Sequence, residues 1–401
     1  MLRQIPVSEV KLGMYIHEIC GSWMDHPFWR SGFLLDSNED LLRLKQSAVT
    51  RVWIDTNKGL DTDKGLAETE VEQQAGILLD TVATTSKRAV SLGDELRRAS
   101  KICNSARKAV MGMFGEARMG QAIDVDNAAL VVDEISESVA RHPTALLSLA
   151  RLKQADEYTY MHSVAVGALM VSLARQLKMD EQSVREAGLA GLLHDVGKIS
   201  INEEVLNKPS SLTDEEFAQI RLHPQYGARI LQRSHSMIST AVYNACLQHH
   251  EKIDGSGYPY RLKKEQISML ARMTTVCDVY DAVTSDRPYK KGWGPAEAIQ
   301  RMAQWQGHFD RYIFQAFVRT VGIYPIGSLV SLSSGRLAVV TDHHEDSLLK
   351  PSVKVFFSAR SKVPIEQEII RLGVAGCEDE IVARERVEDW GFKNIEQLWL
   401  Q

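Results

Sequence analysis

Leu192-Leu193-His194-Asp195-Val196-Gly197-Lys198-Ile199 is the stretch on which the reading of this chain turns. An apolar helical run ends there in adjacent His and Asp, and Gly and Lys follow. Two ionisable groups at the end of a buried helix are costly unless something binds them. A metal ion would do so, and an Asp carboxylate can bridge two ions. The plainer alternative is a C-terminal His resting on the helix dipole with Asp in a turn.

Other histidines surround this stretch. His162 shares one helical face with Val166, Leu169 and Leu173, so it points inward. Alone it reads more readily as a core histidine than as a ligand. His223-Pro224 follows a helix opened by the capping box Thr213-Asp214-Glu215-Glu216; taken alone, His223 reads as a surface residue. His249-His250-Glu251 ends a helix over Val242–Gln248. Adjacent helical residues diverge by about 100°, so both imidazoles can serve one ion only near a helix end; otherwise one is buried and one exposed. Asp278 lies in an apolar helix, with Asp281 one turn later on the same side. Together the five His and two Asp supply enough donors for two ions, and an imidazole-rich set suits iron, manganese or zinc better than magnesium.

Asp254-Gly255-Ser256-Gly257-Tyr258-Pro259 separates the histidine pair from Asp278. Its glycines permit close backbone approach, and Tyr258 can face a base or phosphate, although a lone tight loop has the same pattern. Arg287-Pro288-Tyr289-Lys290-Lys291 ends the Asp278 helix with three cations. Such a cluster is a solvated cap in most proteins and a phosphate clamp beside a metal.

The rest of the chain gives the frame. Its 401 residues allow two or three domains. Short apolar runs at Val10–His17, Gly32–Leu35 and Val52–Asp55, with a helix near Asp40–Lys45, predict a small α+β domain over 1–57. Residues 58–76 are polar and acidic and read as linker, so 58–130 is expected to be linker and connecting helices. Leu130, Val131, Ile135 and Val139 repeat at helical spacing, with Asp126 as N-cap. Helices then dominate 131–330. After Pro325, Gly327–Leu332 and Leu337–Val340 around a Ser-Gly predict a hairpin, and Val353–Phe357 a third strand, giving a β-rich extension over 331–401.

The formal net charge of −5 argues against long nucleic acid as a partner. The five scattered cysteines contain no CxxC pair and fit a reducing compartment. Neither a signal-peptide core nor a spanning run is present, so a cytoplasmic location is expected.

His194-Asp195, His249-His250, Gly257-Tyr258-Pro259 and the segment Asp278–Lys290, with His223-Pro224 and Gly307-His308-Phe309-Asp310, together resemble the HD-GYP domain, a branch of the HD phosphohydrolases. The resemblance covers about 156–330, and residues 1–57 are similar to the small uncharacterised domain found ahead of it. It implies a mainly α, all-helical metal-dependent phosphohydrolase domain between a small α+β domain and a β appendage. The implied activity is hydrolysis of the bacterial messenger cyclic di-GMP to linear pGpG, which family members often carry onward to GMP; some relatives prefer cyclic GMP-AMP. Carried over by position, His162, His194, Asp195 and Asp278 would hold one ion. Asp195 would bridge to a second, held by His223, His249 and His250, the metals being iron or manganese. Lys198 would contact the scissile phosphate, and Tyr258, Arg287 and Lys290 the nucleotide, while Asp281 would orient ligands. Some members carry a Glu four residues before the first histidine that supports a third ion. Tyr158 stands at that position, with Glu157 and Asp156 just before it, which points to two ions. The alternatives are a receptor with little turnover, a mononucleotide hydrolase, and a protein whose N-terminal domain does the main work by docking a second copy or a signalling partner.

Overall fold

The computed structural model of the protein describes residues 2–20, 28, 32–47, 49–68, 70–71, 92–142, 145–146, 158–206, 208, 212–234, 238–285, 292–344, 347–374, 376–392 and 394–399. Helices form the middle of the chain, and an antiparallel sheet with its own core stands at each end. Among the described residues no helix is long and apolar enough to cross a membrane.

The helix Tyr158–Gln176 carries buried side chains around most of its circumference, among them Val164, Val166, Leu169, Met170, Val171 and Leu173. A helix apolar all round belongs at the centre of a domain. It packs against Glu181–Leu193. Glycines make that contact close: a Cβ on Gly191 would stand 2.7 Å from the Gly167 Cα, and one on Gly188 would stand 2.9 Å from Val171. This approach sets the start of the first helix, with His162, beside the end of the second, with His194.

The helices Asp214–Ile220, His223–Leu231, Thr240–Gln248, Met269–Thr284, Pro295–Ala303 and Arg311–Val321 complete the unit. Side-chain caps fix their starts. Thr213 and Glu216 form the expected capping box, and Ser239, Ser268 and Asp310 each accept a backbone N–H. Before this unit, Val125–Arg141 packs on Leu92–Arg118. Its N-cap is Asp124, which accepts from Asn127 N, and not Asp126; the helix starts two residues earlier than its apolar repeat suggests. Of that repeat, Val131, Ile135 and Val139 are buried and Leu130 is exposed.

The N-terminal sheet runs β3-β2-β4-β1-β5, with β1 Leu2–Pro6, β2 Tyr15–Ile19, β3 Phe33–Leu34, β4 Arg51–Asp55 and β5 Leu66–Ala67. The expected helix is Asn38–Gln46. Val10–His17 is not one strand, because Gly13 at φ +86° turns the chain before Tyr15. The segment read as linker also folds back: Leu60 N donates to Gly13 O at 2.7 Å, and β5 pairs with β1. Backbone pairing secures it without much apolar burial, which is why composition missed it.

The C-terminal sheet runs β10-β6-β7-β8-β9: β6 Leu329–Leu332, β7 Arg336–His344, β8 Ser347–Ser358, β9 Val363–Arg371 and β10 Ile381–Arg384. The predicted hairpin turns at Gly335, φ +79°. β9 and β10 were not foreseen. β9 is an exposed, charged edge without alternation, as edge strands are when they resist further pairing. A cavity of about 560 Å³ lies where both sheets meet the helix Pro295–Ala303; Trp53, Arg301 and Arg384 line it, and none of the cluster histidines does.

Candidate metal centre

Three histidines share one local device. His194 closes the helix Glu181–Leu193, His249 closes Thr240–Gln248, and His223 opens His223–Leu231. Each donates its Nδ1–H to the carbonyl three residues back: His194 to Gly191 at 2.8 Å, His223 to Ile220 at 2.7 Å, and His249 to Cys246 at 2.7 Å. Carbonyls left over at helix ends fix the tautomer, and each Nε2 is presented inward. His162 is held instead by Asp281, whose carboxylate oxygen accepts from Nδ1 at 2.6 Å.

The inward nitrogens converge. His223 Nε2 lies 3.2 Å from His249 Nε2 and 3.2 Å from His250 Nε2. Burial holds the His223 imidazole down at about 4 and that of His249 at about 3, and it pushes His250 well below the usual range. All three are therefore neutral at pH 7. With Nδ1 carrying the proton, His223 and His249 face each other with lone pairs. Two bare nitrogens at that separation repel unless a cation lies among them.

Asp195 faces both halves of the cluster. Its Oδ1 is 3.3 Å from His223 Nε2 and 3.8 Å from His249 Nε2; its Oδ2 is 3.5 Å from His162 Nε2 and 3.3 Å from His194 Nε2. Asp278 Oδ1 lies 3.1 Å from His162 Nε2 and 3.8 Å from His194 Nε2. Burial opposes ionisation of both aspartates, but the surrounding histidines, and Lys198 for Asp195, hold both well below the usual carboxylate range. Burial likewise opposes charge on His162, yet its contacts with Asp195, Asp278 and Asp281 outweigh it and raise the imidazole to about 10. His194 rises to about 9 against the same penalty, through Asp195 and Asp278.

His194 Nε2 and Asp195 Oδ1 are buried without a hydrogen bond. An unsatisfied buried donor or acceptor costs about 1–3 kcal/mol. Three overlapping trios each bring one ligand atom per residue within 4.8 Å of the others: His223, His249 and His250; His162, His194 and Asp195; His194, His249 and Asp278. Donor chemistry, orphaned atoms and facing lone pairs all fit bound divalent metal.

His223, which reads as a surface residue in isolation, is fully buried. The turn Arg221-Leu222 between two short helices swings it inward, and that turn cannot be read from the capping box upstream. Lys198 Nζ sits 2.5 Å from Asp195 Oδ2. Gly197 makes that segment possible, since a Cβ there would stand 2.0 Å from the His223 carbonyl. Arg287, Lys290, Glu157 and Asp156, and the side chain of Tyr158, lie outside the described residues.

Two contributors had no signal of their own in the sequence. Glu251 is buried, its carboxyl raised by that burial, and it accepts from the backbone of Tyr260 at 2.7 Å and Leu262 at 2.9 Å. It thereby folds the Gly257-Tyr258-Pro259 loop back onto the histidine pair. There the Tyr258 ring stacks on His250, centroids 4.8 Å apart and planes at 23°. The second is Arg221, whose Cζ lies 4.5 Å over the Tyr258 ring. Only its place two residues before a candidate ligand hinted at it.

Residues 2–128 match a family described as "Domain of unknown function (DUF3391)", and residues 135–313 match the HD domain family. A cyclic di-GMP phosphodiesterase of Pseudomonas aeruginosa is 58% identical over 400 residues, spanning 100% of this chain and 96% of that protein. A cyclic di-GMP phosphodiesterase of Thermotoga maritima is 38% identical over 165 residues, 41% of this chain and 45% of that protein. The 3'3'-cGAMP-specific phosphodiesterase 2 of Vibrio cholerae is 40% identical over 122 residues, 30% of this chain and 23% of that protein.

Proposed function

The chain belongs to the HD-GYP cyclic di-GMP phosphodiesterases of the HD phosphohydrolase superfamily, and from that premise we propose that it hydrolyses cyclic di-GMP to pGpG and onward to GMP, using two divalent transition-metal ions. The observation that carries this reading is the convergence of buried imidazole nitrogens on both oxygens of Asp195. His162, His194, Asp195 and Asp278 would hold one ion, and Asp195, His223, His249 and His250 the other. Iron or manganese suits so imidazole-rich a set. Bound divalent ions supply Lewis acidity and a water that ionises near neutral pH.

The chain's own groups do the rest. Asp281 orients His162 through its Nδ1–H. The Lys198 ammonium, held at Asp195, offsets charge that builds on the phosphate. Tyr258 forms the wall of the nucleotide site beside His250, and Arg287 and Lys290 contact the nucleotide by analogy with the family. The catalytic unit is assigned to 131–330 and the β extension to 331–401. The N-terminal sheet, with its own core, is the proposed docking surface for a second copy or a signalling protein, acting in the cytoplasm where this messenger circulates.

Anaerobic purification with metal analysis, followed by chromatography of cyclic di-GMP reactions, tests the reading. Two ions per chain and accumulation of pGpG and then GMP are expected. A metal-replete protein that leaves cyclic di-GMP intact contradicts it. Preference for 3'3'-cGAMP is the second reading, because a relative specific for it is 40% identical over 122 residues. The cyclic di-GMP relative spans the whole chain, so kcat/KM measured side by side is expected to favour cyclic di-GMP.

A further inference from the structure

Arg221 is a partly buried cation that the catalytic assignment leaves unused. It caps the end of Asp214–Ile220, and its guanidinium lies on aromatic faces, 4.5 Å over Tyr258 and 5.7 Å over Phe217. Among the described residues none accepts a hydrogen bond from the guanidinium or forms an ion pair with it. Glu251 is near enough to feel its charge, but both Glu251 oxygens already accept from the backbone of Tyr260 and Leu262. An arginine held flat by rings, with its N–H fork unspent, is shaped to receive an oxyanion.

The position says which one. The Tyr258 ring touches both Arg221 and His250, and His250 belongs to the trio with His223 and His249. The Lys198 ammonium, at Asp195 Oδ2, lies close enough for its charge to reach His223. On the functional reading above, the phosphate to be cut lies at the metal cluster of which that trio forms one side. A cyclic dinucleotide carries a second phosphodiester in the same ring, so another anion must sit a short span away. The Tyr258 ring is 6% exposed and already in contact with an imidazole and a guanidinium, which leaves little face for a base. It acts as a spacer that sets the arginine's distance from the histidines. We propose that Arg221 binds the phosphodiester of the cyclic dinucleotide that is not being cut, an assignment that rests on the functional reading above.

Two substrates separate this role from others: cyclic di-GMP, and bis(4-nitrophenyl) phosphate, which has a single phosphodiester. In manganese-loaded enzyme, Arg221→Ala is expected to raise KM for cyclic di-GMP on the order of 10–100-fold, as for a lost charged hydrogen bond. Its kcat and metal content should stay near wild type, and kcat/KM for bis(4-nitrophenyl) phosphate should be unchanged. Arg221→Lys keeps the charge without the planar fork and should recover part of the loss; if the alanine variant does not fold, the lysine variant decides, with a raised KM for cyclic di-GMP alone. Parallel losses on both substrates would mean that Arg221 acts through Tyr258 on His250, and no loss on either would mean that it binds nothing; each overturns the proposal. Wild-type enzyme that cuts bis(4-nitrophenyl) phosphate but no cyclic dinucleotide contradicts the functional reading itself, and this assignment with it.

Discussion

Lys198 and Asp195 stand in contact, and the cost of losing each should differ in kind. Lys198 is partly exposed and touches the cluster through one oxygen of Asp195, so removing it should spare the metal. Lys198→Ala is expected to lower kcat by on the order of 10²–10³, as for a lost oxyanion donor, with metal content near normal. Unchanged kcat at saturating substrate would remove Lys198 from the mechanism. At this scale most of the cluster was legible, because His194-Asp195 and His249-His250 put costly groups where apolar ones belong. His223 was not, since its neighbours in sequence say nothing of its neighbours in space. Arg221 and Glu251 were silent for the same reason: the partners that give them meaning lie up to 37 residues away, across the Tyr258 contact.

Helix contacts carry that geometry. The distance between His162 and His194 depends on how closely Tyr158–Gln176 approaches Glu181–Leu193, and Gly191 sets that approach. Its Cα faces Gly167 so closely that any Cβ forces the helices apart. Gly191→Ala should therefore cost about 1–3 kcal/mol as overpacking and weaken metal retention as well. Thermal unfolding with metal analysis checks this; wild-type stability with full metal would show that the contact does not set the site. Periodicity and caps revealed these helices, but not how near they come, because a glycine in a helical repeat looks the same whether it faces a neighbour or solvent. In the sheets the same limit hid β5 and β9, which are held by backbone pairing and little apolar burial.

Across the whole molecule, one buried charge ties the connecting helices to each other. The Glu95 carboxylate accepts from Ser138 at 2.9 Å and from Arg141 at 2.9 and 3.1 Å. Burial opposes its ionisation, but Arg141 and Ser138 prevail and hold it below its ordinary 4.5. A depressed folded value means stability that is present above about pH 4.5 and lost as pH falls through the lower folded value. At pH 7, Glu95→Gln is expected to be less stable by about 2 kcal/mol, and the gap should close below pH 4.5. A gap that does not change with pH would show that the carboxylate's charge is not what matters. The central claim concerns the cluster that these helices frame. Metal content and cyclic di-GMP turnover, measured together on wild type, Asp195→Ala and Asp281→Ala, test it most directly. Wild type should hold two ions and turn over, Asp195→Ala should lose both properties at once, and Asp281→Ala should lose less; a metal-replete, active Asp195→Ala enzyme would contradict the account.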